Sequence, residues 1–191
     1  MSHTSRRPAH RNGIRAKLKV LTAAALLSAL APSGVAFAGD PNPVPLVPKG
    51  DPAMNAAFAH AAATLDDFLA KWRHPPPGAE QFSVKIGLQD TPSAPGYTVV
   101  RPGAPGAIEW FWTDNLRVDG TGFSAQLSND PERVRNVSFG QTVRFTREDI
   151  GDWMYWQNGK IVGNATACPA LAHATAEDRR QMKEQYGLVC D

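Results

Sequence analysis

Along residues 52–74 the apolar side chains Met54, Phe58, Ala61, Leu65, Phe68, Leu69 and Trp72 recur mostly at steps of three and four. That spacing predicts one amphipathic helix with a single buried stripe. Asp51 can cap it, Pro52 suits its first position, and His74-Pro75-Pro76-Pro77 stops it. From Phe82 the period changes to two. Phe82, Val84, Ile86 and Leu88 alternate with Ser83, Lys85, Gly87 and Gln89, the pattern of a half-buried strand. Tyr97–Val100 can form a short strand. Ala107–Thr113 continued by Leu116–Val118, then Phe123–Leu127, Thr142–Phe145, Trp153–Trp156 and Lys160–Val162 complete the alternating segments. Asp119-Gly120, Ser128-Asn129-Asp130-Pro131 and Asn158-Gly159 separate them, and Asn-Gly is the strongest of these as a hairpin turn. A last helix is expected inside 167–191, capped by Thr175 and closed at Gly187. The pattern predicts an α+β fold: a curled antiparallel sheet or small open barrel of five to six strands, with an N-terminal amphipathic helix and a C-terminal helix.

Charge changes the picture at the N-terminus. Six of the 20 Lys/Arg stand in the first 38 residues with no acid among them, so the remaining 14 face 18 acids, a net charge of −4. Basic Arg6–Lys19, apolar Val20–Ala31 and Ala36-Phe37-Ala38 follow one another as in a secretory signal peptide. The apolar run falls short of the roughly 20 residues that span a bilayer. Cleavage is expected after Ala38, giving a periplasmic or secreted protein with no stable membrane span. Arg6-Arg7 leaves twin-arginine export open beside the general route. Residues 39–51, rich in proline, form a semi-rigid spacer. The domain order is therefore a signal peptide (1–38), a spacer (39–51), a helix (52–74), a β-rich domain (79–166) and a C-terminal helical segment (167–191). The acidic mature chain argues against nucleic acid as a partner.

Export also bears on Cys168 and Cys190. In an oxidising compartment they are expected to form a disulfide, the rival being two buried free thiols.

The run Phe82-Ser83-Val84-Lys85, Glu109-Trp110-Phe111-Trp112, Asn129-Asp130-Pro131, Gly140 and Ile150-Gly151-Asp152-Trp153-Met154-Tyr155, followed by Asn158-Gly159-Lys160, resembles the YegJ-like family of bacterial domains of unknown function, over about residues 82–166. The resemblance implies an uncharacterised domain and lends no catalytic residues. Family members often carry His after the Glu, where this chain has Trp110.

Little catalytic chemistry is legible. His60, His74 and His173 are far apart in sequence, and there is no G-x-S-x-G, glycine-rich phosphate loop or C-x-x-C. No metal or cofactor is implied. Glu109 and Asp152 could form the carboxylate pair of a glycan or peptide hydrolase if they shared a cleft; otherwise they serve turns and backbone N–H groups. The aromatic surplus at 110–112 and 153–156 cannot all face one core. Trp110 and Trp156 are the rings expected nearest the surface and able to contact a ligand. The expected role is a non-catalytic binding or interaction module for a protein, peptide or glycan of the cell envelope. A carboxylate hydrolase and a structural or stress-accessory domain are the alternatives.

Overall fold

Asp51 starts the first helix, its Oδ1 accepting the Met54 N–H at 2.8 Å with Pro52 in the first turn. This helix, α1 (Pro52–Arg73), buries Ala57, Ala61, Leu65, Phe68 and Leu69, the stripe expected from its spacing. The computed structural model describes residues 50–92, 95–188 and 190. The expected signal peptide and all of the spacer before Gly50 lie outside the described residues.

Seven strands follow: β1 (Ala79–Asp90), β2 (Tyr97–Val100), β3 (Glu109–Asp119), β4 (Gly122–Leu127), β5 (Thr142–Phe145), β6 (Ile150–Gln157) and β7 (Lys160–Gly163). All pair antiparallel in the order β5-β4-β3-β1-β6-β7, with β2 paired to β1 off this path. The sheet is open, not a closed barrel, because the path ends at β5 and β7. The expectation of five to six strands falls short. β1 is long enough to hold two partners along one edge: β6 pairs with it up to Ile86, and β2 takes over from Gly87 to Asp90. A four-residue strand that pairs only with the far half of another gives little periodic signal of its own.

β3 leaves β1 partway along the ladder. Ladder pairing between them ends at Lys85 and Trp112. Beyond it, Thr113 Oγ1 donates to Val84 O at 2.9 Å, and Ser83 Oγ accepts the Thr113 N–H at 3.3 Å. Two buried hydroxyls thus satisfy backbone groups that would otherwise be orphaned, and β3 is freed to pair with β4. The Asn158-Gly159 hairpin forms as expected, with φ of +50° and +76°.

α1 lies against β6. Phe68 stacks on Trp153 at 5.2 Å and meets Phe82 at 5.8 Å. The Trp153 indole N–H donates to Ala61 O at 3.1 Å. Val84, Ile86, Leu88 and Phe111 complete the core beneath them. The C-terminal segment holds two helices where one was expected: α2 (Ala167–Ala172) and α3 (Ala176–Tyr186). Thr175 caps α3 and Gly187, at φ +70°, closes it. Cys168 and Cys190 form the expected disulfide across 22 positions.

Candidate functional site

The first constellation is a pinned loop between β4 and β5. Glu109, at the start of β3, accepts the backbone N–H groups of Glu132 (2.7 Å), Arg133 (2.9 Å) and Val134 (2.8 Å). Asp90, at the end of β1, accepts those of Arg135 (3.0 Å) and Asn136 (3.2 Å), and the Asn136 side-chain amide at 2.8 Å. Two carboxylates thus collect five successive backbone donors, in charge-assisted bonds of the stronger kind. These bonds, the Arg135 N–H first, hold the Asp90 carboxyl below its usual range. Asn129 Oδ1 accepts the Trp112 N–H at 3.0 Å, and Val134 and Val137 are buried in the core. A loop anchored this way presents Arg133, Arg135 and Phe139 outward. Phe139 is 62% exposed; with Val118 it is one of the two large apolar residues exposed among those described.

The second constellation is a row across three strands. Register sets Lys85 of β1 opposite Trp112 of β3 on one side and Asp152 of β6 on the other, so the three share one face of the sheet. Lys85 Nζ lies 4.5 Å from the centre of the Trp112 ring and donates to Thr166 Oγ1 at 2.5 Å. Thr166 in turn donates through Oγ1 (2.7 Å) and its N–H (2.8 Å) to Asp152 Oδ2, and Asp152 Oδ1 accepts the Trp153 N–H at 2.8 Å. Asp152 is 1% exposed; Lys85 is half-buried. Burial pushes the Lys85 amine down to about 8, with the charge of Asp152 opposing the shift. Because the folded value lies below the ordinary 10.5, a protonated Lys85 costs stability, and that cost fades as pH rises from about 8 towards 10.5.

The same register corrects the hydrolase alternative. Glu109 pairs with Leu88 and Asp152 with Lys85. Residues 85 and 88 of one strand point to opposite faces, so the two carboxylates do not share a cleft. Asp149, near Asp152 in sequence, caps the turn before β6 by accepting the Thr146 N–H and hydroxyl, both at 2.8 Å.

The tryptophans are more covered than their pattern suggested. Trp110 is half-buried against Phe58 at 4.8 Å and over Gly151, where a Cβ would stand 2.5 Å from its ring. Trp156 is half-buried with its edge to Tyr186 at 5.9 Å. Neither forms an open shelf, because α1 and α3 each supply a ring to cover it. His60, His74 and His173 are exposed and apart in the sequence, and no cluster of potential metal ligands occurs among the described residues.

Residues 51–189 match a family described as "Uncharacterized protein conserved in bacteria (DUF2314)". The chain belongs to this family. The match takes in α1 and the C-terminal tail as far as residue 189, beyond the 82–166 stretch that carried the resemblance. The chain is 30% identical to "Uncharacterized protein YegJ" of Escherichia coli (strain K12), over 69% of this chain and 75% of that protein. It is 32% identical to "Putative ankyrin repeat protein NMB1133/NMB1171" of Neisseria meningitidis serogroup B (strain ATCC BAA-335 / MC58), over 42% of this chain and 32% of that protein. No solved structure matches. In this DUF2314 domain the motif residues have evident work: Glu109 and Asn129 hold the loop, Gly151 admits the Trp110 ring, and Asp152 binds Thr166.

Sequence reasoning missed Asp90, Phe139 and the Lys85 row. Lys85 alternates with core residues and reads as solvent-facing, yet Ser83, Gly87 and Asp152 around it are buried. No one-dimensional pattern shows that both faces of the middle of β1 are covered. Phe139 had a weak signal, a lone aromatic in the polar stretch Asn136–Gln141.

Proposed function

We propose that this chain is an exported envelope protein whose domain binds a protein, peptide or glycan partner without a catalytic step, and that the pinned loop 128–141 is its contact surface. The observation that carries this reading is the clamp itself. Glu109 and Asp90 spend their carboxylates on five successive backbone N–H groups, holding a loop that exposes Phe139 in the turn just before β5. Fixing the loop before binding lowers the ordering cost of association, and an exposed aromatic on a rigid frame is a common binding anchor. The disulfide supports export, since such bonds persist in oxidising compartments.

The test is capture from an envelope extract by the purified protein and by Phe139→Ser. The expected result is a partner retained by the wild type and lost or weakened at least tenfold by the variant, about 1.4 kcal/mol, with an unchanged melting temperature. Equal capture by both proteins would remove Phe139 from the reading. Hydrolysis of a glycan or peptide by the wild type, abolished by Asp152→Asn in a folded protein, would overturn the non-catalytic role.

A further inference from the structure

The binding reading leaves the row at Lys85 unused. We propose that Lys85 is a nucleophilic amine, the site at which this domain takes up a small uncharged aldehyde as an imine. Its bonding count supports this. An ammonium group has three N–H donors and a neutral amine has two. Lys85 Nζ has one hydrogen-bond acceptor, Thr166 Oγ1, and one ring face, Trp112. Two N–H groups are therefore placed, and a neutral amine keeps its lone pair uncommitted. The desolvation that lowers its pKa to about 8 leaves about a tenth of the amine neutral at pH 7, far more than an ordinary lysine keeps, and it is the neutral form that acts as the nucleophile.

The neighbours suit the reaction. The Nζ lone pair attacks the carbonyl carbon, and the new C–N bond places positive charge on nitrogen. One N–H proton passes to Thr166 Oγ1 as the Thr166 hydroxyl proton passes to Asp152 Oδ2, along the two hydrogen bonds already in place. Asp152 returns this proton to the alkoxide oxygen, giving the carbinolamine, and the second N–H proton, passed along the same hydrogen bonds, protonates that hydroxyl so that it leaves as water. The balance is amine plus aldehyde giving imine plus water, with no oxidant or reductant. The Trp112 ring offers an apolar wall beside the carbonyl substituent. Asp152, itself a member of the row, disfavours anionic carbonyl compounds such as oxo acids and leaves an uncharged aldehyde as the carbonyl that fits.

The protein is incubated with propanal and cyanoborohydride at pH 7, and each lysine's propyl adduct is quantified by peptide mass spectrometry. Lys85 is expected to be modified at least about tenfold faster than the exposed Lys71 and Lys183. That preference should vanish in urea. In Thr166→Val, shown to be folded by its melting curve, Lys85 should label more slowly while Lys71 does not change. If Lys85 labels no faster than Lys71 and Lys183 in the native protein, the inference is wrong and the row is a structural clasp. The labelling does not depend on loop 128–141, so capture by Phe139 and chemistry at Lys85 fail or succeed separately.

Discussion

Glu109→Gln separates a structural carboxylate from a chemical one. Glu109 receives three backbone N–H groups on two oxygens, two of them (from Arg133 and Val134) on Oε2. An amide keeps one oxygen. Whichever way it turns, its NH₂ group faces at least one backbone donor, and at least one loop N–H loses its partner. Hydrogen bonds to a charged group contribute about 1.5–3 kcal/mol each. Two of these three are solvent-exposed and can regain water, so the expected net loss is about 1–3 kcal/mol. At roughly 3 °C per kcal/mol for a domain of this size, the melting temperature should fall by about 3–9 °C. Urea unfolding followed by tryptophan fluorescence should show a lower midpoint at unchanged slope. Trypsin should also cut at Arg133 or Arg135 faster than in the wild type, because the released loop fits a protease. Glu132→Gln, an exposed carboxylate in the same loop, is the control and should stay within about 0.5 kcal/mol. A Glu109→Gln variant as stable and as trypsin-resistant as that control would refute the clamp.

The helix stripe should be as critical as its burial indicates: Leu65→Ala is expected to cost about 2–5 kcal/mol in urea unfolding, and a loss under about 0.5 kcal/mol would detach α1 from the core. Thiol titration of the denatured, unreduced protein should find no free thiol from Cys168 and Cys190; replacing both by Ser should cost about 3 kcal/mol for a 22-residue closure. Asp90 has a folded pKa below its ordinary 3.8, so its contribution is present above about pH 4 and is lost as pH falls through the folded value. Asp90→Asn should therefore flatten the acid limb of a stability–pH curve below pH 4, and an unchanged limb would show that the loop bonds are not coupled to folding.

Local chemistry was legible along the chain because it depends on near neighbours. The stripe Ala61, Leu65, Phe68 and Leu69 follows from helical period, and the Asn158-Gly159 hairpin from the left-handed φ that those two residues tolerate. Thr175 and Gly187 likewise mark the ends of α3 by side-chain bonding and backbone freedom. The pairing of Cys168 with Cys190 followed from their being the only two cysteines in a chain that reads as exported. What each side chain meets across the fold was decided by strand register and by which helix covers which face. Register put Glu109 and Asp152 on opposite faces of the sheet and brought Lys85 between Trp112 and Asp152. It also gave β1 a second partner in β2 along the edge that β6 leaves. Phe58 and Tyr186, more than forty and about thirty residues away in sequence, turned two expected surface tryptophans into half-buried ones. The five amide donors of residues 132–136 found their acceptors at positions 90 and 109 for the same reason. Long-range pairing is selected by the whole set of buried contacts, and period and composition carry no record of it.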